Sequence, residues 1–154
     1  MTLDYTGKVV IVTGAGGGLG RSHALEFARR GAKVVVNDLG GSVDGSGGSS
    51  EAADKVVEEI KAAGGEAISN GSSVTDDAGV ANMVQQTMDA YGRIDALVNN
   101  AGVLRDKSFA KMEVGDFSFV VDVHLFGTMK PTKAVWPIMK EQGYGRILVT
   151  SSSS

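Results

Sequence analysis

The chain has 154 residues, 22 of them glycine, with no cysteine, two histidines and a net charge of −3. That length suits one domain with a sizeable core, and the lack of cysteine excludes disulfide frameworks, thiolate catalysis and cysteine–zinc sites. His23 and His124 are too far apart in sequence to suggest a metal site, and the acidic balance argues against general binding to nucleic acid or anionic membrane.

The opening Met1-Thr2-Leu3-Asp4 has neither a basic region nor an apolar run, so no targeting signal is visible. The cytoplasm is the expected compartment, with the peroxisome as the alternative in a eukaryote. The first predicted strand, Val9–Val12, runs into Thr13-Gly14-Ala15-Gly16-Gly17-Gly18-Leu19-Gly20, and a helix over Leu19–Arg30 follows. Glycines between a strand and a helix let backbone approach a pyrophosphate without Cβ clashes, and the helix N-terminus then faces the negative charge. A tight structural turn also uses glycine, so the loop alone does not prove a nucleotide site.

Lys33–Asn37 is the second predicted strand, closed by Asp38. Asp38 lies 24 positions beyond Gly14, near the spacing at which a carboxylate takes the adenosine ribose hydroxyls of a dinucleotide. The same carboxylate would repel a 2′-phosphate and so favour NAD over NADP. Leu39–Ser50 holds five glycines and four serines; it reads either as a plain connection or as a flap beside the bound ribose. A helix over Ser50–Ala63 buries Ala53, Val56, Val57 and Ile60, with Ser49 or Ser50 as N-cap and Gly64-Gly65 as its stop.

Ala67–Asn70 is a weaker third strand, followed by a helix over Asp76–Tyr91 and a fourth strand over Ala96–Asn99. Asn99-Asn100-Ala101-Gly102 then places small and amide side chains where a ligand meets a parallel sheet. A long helix is predicted over Asp116–Lys140, kinked near Gly127–Pro131 and bent again at Pro137. Val120, Val121, Val123, His124, Phe126, Val135 and Trp136 give it more apolar surface than one sheet-facing side needs. Arg146–Thr150 is the fifth strand. Short β-branched strands alternating with helices define a doubly wound α/β fold with a parallel sheet.

These motifs together resemble the short-chain dehydrogenase/reductase family. Thr13-Gly14-x-x-x-Gly18-x-Gly20 is similar to its cofactor turn, Asn99–Gly102 to its Asn-Asn-Ala-Gly, and Arg146–Ser152 to its fifth strand leading to the catalytic serine. Asn37–Gly41, Ala53–Ile60, Asn100–Asp106 and Gly143–Ile147 are similar to the (3R)-hydroxyacyl-CoA dehydrogenase branch, found within multifunctional β-oxidation enzymes. The resemblance spans the whole chain. It implies a Rossmann fold with strand order 3-2-1-4-5, NAD as cofactor, and hydride transfer between NAD and the C3 alcohol of a 3-hydroxyacyl-CoA. Gly14, Gly18, Leu19 and Gly20 would hold the pyrophosphate, Asp38 the adenosine ribose, and Ser73 and Val74 the adenine, with Thr13 and Gly17 also among the cofactor-binding residues. Asn100, Ala101 and Gly102 would line the nicotinamide side, Asn99 would also be cofactor-binding, Ser152 would be catalytic, and no metal is implied. The long helix would pair with a second copy in a homodimer or homotetramer.

Three departures from the family pattern stand out. Ser73-Val74-Thr75 replaces an Asp-Val pair, and His124 stands where the family has an active-site asparagine, as the resembling branch also does. The family's Tyr-x-x-x-Lys is absent: the residues four beyond Tyr5, Tyr91 and Tyr144 are Val9, Asp95 and Leu148. Residues 1–154 are therefore expected to be an NAD-binding Rossmann domain incomplete at its C-terminus, cut before the sixth strand and inactive alone. A dehydrogenase of the same family acting on a steroid, sugar or polyol, and a non-catalytic dinucleotide-binding module, remain open alternatives.

Overall fold

The computed structural model describes residues 3–40 and 50–152. Five strands, β1 (Val9–Thr13), β2 (Lys33–Asn37), β3 (Glu66–Asn70), β4 (Ala96–Asn99) and β5 (Arg146–Val149), form one sheet. Its order is β3-β2-β1-β4-β5 with every pair parallel, as the doubly wound reading requires. Between the strands lie α1 (Gly18–Arg29), α2 (Glu51–Ala62), α3 (Asp77–Tyr91), α4 (Val114–Val121) and α5 (Gly127–Gln142).

The pleat sorts the strand residues between two cores. Val10, Val12, Val34 and Val36 face one side, where Ala24 and Ala28 of α1 and Val56 and Ile60 of α2 close over them. Ile11, Val35 and Leu97 face the other, against Met83 of α3 and Val135 and Met139 of α5. Burial on both faces is why these strands are continuous β-branched runs rather than alternating ones. At the edge, β5 differs: Leu148 and Val149 are 46% and 60% exposed.

The opposite end of the sheet is tied by Asp95, which is 2% exposed. Its carboxylate takes both Nε and Nη2 of Arg93 (2.7 and 2.6 Å), accepts the Val9 N–H at 2.9 Å and lies 3.7 Å from Lys8. Burial pushes its pKa up, but the Arg93 and Val9 hydrogen bonds and the two cations outweigh this and hold it below the ordinary aspartate value. A depressed carboxyl contributes its stability above the ordinary pKa and loses it as the pH falls through the lowered one. This tie between the starts of β1 and β4 is therefore at full strength at neutral pH.

Several local expectations need correction. Ser50 sits at the α2 N-cap position, yet its side chain makes no capping bond. Asp76 does cap α3, accepting the Gly79 N–H at 2.6 Å. The helix expected over 116–140 begins earlier, at Val114, and is not continuous. Asp122–Phe126 winds as a wide π-turn between α4 and α5, with the Gly127 amide reaching back to the Asp122 carbonyl. The irregularity thus lies ahead of Gly127–Pro131. Pro131 has no N–H to return to the Gly127 carbonyl, and the preceding turn absorbs the mismatch. The helix then runs through Pro137 to Gln142 and ends on Gly143 at φ +66. Val123 and Val135, counted above as surplus apolar surface, are buried at 8% and 0%. The Gly-Ser stretch of 41–49, and with it the flap reading, lies outside the described residues. Among the described residues no helix is long and apolar enough to cross a membrane.

Candidate functional site

Parallel register brings the carboxyl ends of the strands together: Thr13 pairs with Asn37, Asn37 with Asn70, and Asn99 with Val149. Thr13, Asn37, Asn70 and Asn99 are all buried there. Asn37 donates to the Asn70 side-chain oxygen at 2.8 Å and to the Ser72 carbonyl at 2.9 Å. Polar groups at this end bond one another and leave the loops above them to meet a ligand.

Thr13 faces inward. Its Oγ1 accepts the N–H groups of Asn100 and Ala101, each at 3.0 Å, and so seats the segment after β4 on the end of β1. Asn100 returns the contact, its Nδ2 donating to the Thr13 and Gly14 carbonyls at 3.1 Å each. The glycine turn and the Asn-Asn-Ala-Gly segment thus form one continuous floor. Gly14 has φ +62, and a Cβ there would stand 2.8 Å from the Ala101 Cα. Gly17 and Gly18 differ: a Cβ on either would meet nothing within 4 Å. No side-chain bond caps α1 at Gly17, and Leu19 is exposed beside it. Open space at Gly17 and Gly18 beside the N-terminus of α1 is what a pyrophosphate requires, so the residues present fit a dinucleotide.

Asp38 is joined to this turn. Its Oδ2 accepts the Gly16 N–H and its Oδ1 the Gly40 N–H, both at 2.8 Å. Each carboxylate oxygen retains a second lone pair for a ribose hydroxyl. Ser73 is engaged within its own turn, 2.8 Å from Thr75 Oγ1 and accepting the Thr75 N–H at 3.2 Å. Val74 is buried against Gly127, where a Cβ would come within 2.7 Å of its Cγ2. Asn99 is also turned inward, donating to Thr132 Oγ1 at 3.1 Å.

A cleft of about 550 Å³ opens beside this floor, and Asn100, Ala101, His124 and Ser152 all line it. His124 Nε2 lies 2.9 Å from the Val103 carbonyl oxygen and 3.1 Å from the Val103 nitrogen. Protonated at Nε2 it donates to the former; unprotonated it accepts from the latter. Gly102 is required beside it, since a Cβ would fall 2.8 Å from His124 Cε1. The cleft's remaining wall includes Leu104, Arg105, Met112, Phe117 and Val120. Val120, counted above as surplus helix surface, faces this cleft instead, and the sequence patterns missed the other wall residues, which come from an irregular loop and a short helix without a diagnostic spacing. Only the Leu104-Arg105-Asp106 string hinted at them.

The profile of the short chain dehydrogenase family matches residues 8–154. Peroxisomal multifunctional enzyme A of Dictyostelium discoideum is 58% identical over 154 residues, all of this chain and 34% of that protein. The peroxisomal hydratase-dehydrogenase-epimerase of Saccharomyces cerevisiae is 53% identical over 150 residues, 97% of this chain and 16% of that protein. The chain therefore spans about a third or less of these relatives. A solved 7α-hydroxysteroid dehydrogenase, complexed with NADH and 7-oxo glycochenodeoxycholic acid, superposes with a TM-score of 0.87 at 34% identity. That match covers 97% of this chain and 55% of the other.

Proposed function

The chain belongs to the short-chain dehydrogenase family, and from that premise we propose that residues 1–154 are the NAD-binding portion of a longer 3-hydroxyacyl-CoA dehydrogenase. The observation that carries this reading is the shared floor. Asn100 bonds the carbonyls of the glycine turn and at the same time lines the cleft that Ser152 enters, so a cofactor and a substrate would meet there. Gly14, Gly17, Gly18, Leu19 and Gly20 would hold the pyrophosphate, Asp38 the adenosine ribose, Ser73 and Val74 the adenine, and Asn100, Ala101 and Gly102 the nicotinamide side. Thr13 and Asn99 act from beneath, as supports of that floor.

When bound, NAD supplies a hydride acceptor. Ser152 would donate a hydrogen bond to the oxygen on C3, orienting it while the family's tyrosine, not among these residues, takes its proton. The apolar side chains of Leu104, Met112, Phe117 and Val120 would exclude water from the reacting carbon. The substrate class is supported by the multifunctional relatives, one of which carries hydratase and dehydrogenase together in its name. The 7α-hydroxysteroid neighbour favours a steroid alcohol, but at 34% identity against 53–58% it is the second reading. The peroxisomal names of the relatives support that compartment over the cytoplasm for a eukaryotic parent.

NADH absorbance tests the assignment. The parent enzyme, given NAD and a (3R)-3-hydroxyacyl-CoA, should turn over at about 1–1000 per second, the usual enzyme range. The 154-residue chain alone should give none, because it carries no Tyr-x-x-x-Lys. A parent that oxidises only the 7α-hydroxysteroid selects the second reading, and turnover by the chain alone overturns the proton-transfer assignment.

The assembly is proposed on the same footing. Leu125, Phe126, Met129 and Trp136 expose apolar surface along the π-turn and α5. A second copy related by a two-fold axis would cover such a face in an isologous contact. Phe126 is 42% exposed, so Phe126→Glu should leave the circular dichroism folded while light scattering shows the parent shifted to monomer. A folded, still oligomeric variant places the interface elsewhere.

A further inference from the structure

Among the described residues, three buried side-chain polar atoms lack a hydrogen-bond partner: Tyr91 Oη, Asn99 Oδ1 and Arg105 Nε. Tyr91 is remote from the cleft, its hydroxyl pKa pushed up to about 12 by burial and then by Glu66. Asn99 lies beneath the floor. Arg105 is in the wall of the cleft itself.

Arg105 makes no hydrogen bond or ion pair with the described residues. Its guanidinium carbon lies 4.9 Å from the centre of the Phe119 ring, so stacking on α4 holds it. Two carboxylates, Asp106 and Asp116, line the same cleft, yet neither comes within ion-pair distance of it among the described residues. Asp116 is taken by Lys107 at 2.7 Å and by the Glu113 N–H, which lower its pKa ahead of any effect of Arg105. Nε is shut off behind the stack, while the Nη groups are not buried and make no hydrogen bond with the described residues. An arginine held over an aromatic ring with its Nη groups unfilled is arranged to receive an acceptor from outside.

We propose that Arg105 reads the carrier arm of the substrate, its Nη groups donating to an acceptor oxygen on the coenzyme A side of the thioester. This rests on the thioester reading above. Leu104, Met112, Phe117 and Val120 give that arm only apolar contact, and among the described residues lining the cleft Arg105 is the one arginine or lysine, a charged donor for an acceptor oxygen. Two oxygens share the chemistry: an amide carbonyl of the pantetheine portion and a phosphate.

The experiment uses the parent enzyme and one 3-hydroxyacyl group on three carriers: coenzyme A, pantetheine and a simple ethyl thioester. Arg105→Met should raise KM for the coenzyme A substrate roughly ten- to a hundredfold, the loss expected for a charged hydrogen bond. For that substrate kcat should change by no more than about threefold, because the contact is made equally in ground and transition states. The ethyl thioester should lose at most about threefold in KM. Loss on coenzyme A and pantetheine together supports the amide as acceptor, and loss on coenzyme A alone supports the phosphate. Equal loss on all three carriers, or loss on none, overturns the proposal. Should Arg105→Met fail to fold, Arg105→Lys makes the same comparison with a smaller ratio. A wild-type parent that turns over none of the three overturns the functional reading first, and this inference with it.

Discussion

Gly20→Ala should destabilise the protein by about 3 kcal/mol or more, at the upper end of what overpacking costs. A Cβ on Gly20 would sit 2.5 Å from Asn100 Nδ2 and 2.8 Å from the Gly14 carbonyl carbon, and closer still to its oxygen. Neither neighbour can yield. Asn100 is bonded to both the Thr13 and Gly14 carbonyls, and Gly14 is fixed at φ +62. Gly17→Ala, three residues away, should behave in the opposite way. Its φ of −165 is extended backbone open to any residue, and its Cβ meets nothing within 4 Å. Its stability should stay within about 0.5 kcal/mol of wild type, while the methyl stands in the space assigned to the pyrophosphate and weakens NAD binding. Urea unfolding midpoints and calorimetric NAD titrations of both variants check the pair. A Gly20→Ala protein as stable as wild type would show that the turn can relax, and a Gly17→Ala protein with undiminished NAD affinity would move the pyrophosphate elsewhere.

Asp38→Ala should bring the ratio of NAD to NADP affinity toward one, a change of about ten- to a hundredfold for the loss of charged hydrogen bonds worth roughly 1.5–3 kcal/mol. Two effects act together: the ribose hydroxyls lose their acceptor, and a 2′-phosphate no longer meets a negative charge. The structure adds a third. Asp38 also holds the Gly16 and Gly40 N–H groups, so alanine loosens the turn for both cofactors alike. Asp38→Asn separates these contributions, because it removes the charge and keeps an oxygen acceptor. The expected order of NAD preference is wild type, then asparagine, then alanine, measured by titration of both cofactors into the parent enzyme. A ratio unchanged in both variants would leave Asp38 with the turn as its only role.

What the sequence by itself determined was set by local physics. Five β-branched runs, the amphipathic spacing of Ala53, Val56, Val57 and Ile60, and glycines at the strand ends led to the alternating elements. The family resemblance gave the strand order that the sheet shows. Each of these depends on neighbours within a few positions, or on a motif that is contiguous in the chain. The family's cofactor turn was legible for the same reason.

Which of the residues near that turn point inward was decided only by tertiary structure. Thr13 and Asn99 look like ligand residues in the sequence, but packing turns them inward to Ala101 and Thr132 across 88 and 33 positions. His124 stands in the sequence where the family has an active-site asparagine, but only the fold shows its imidazole, carried on the π-turn, against the Val103 backbone 21 positions away. Arg105 belongs to a loop with no periodicity, and only the fold sets it over Phe119 in the wall of the cleft. Periodicity records which face of an element is apolar. It holds no record of which polar side chain two separate elements will satisfy, because that depends on distances fixed only when the sheet and its helices close together.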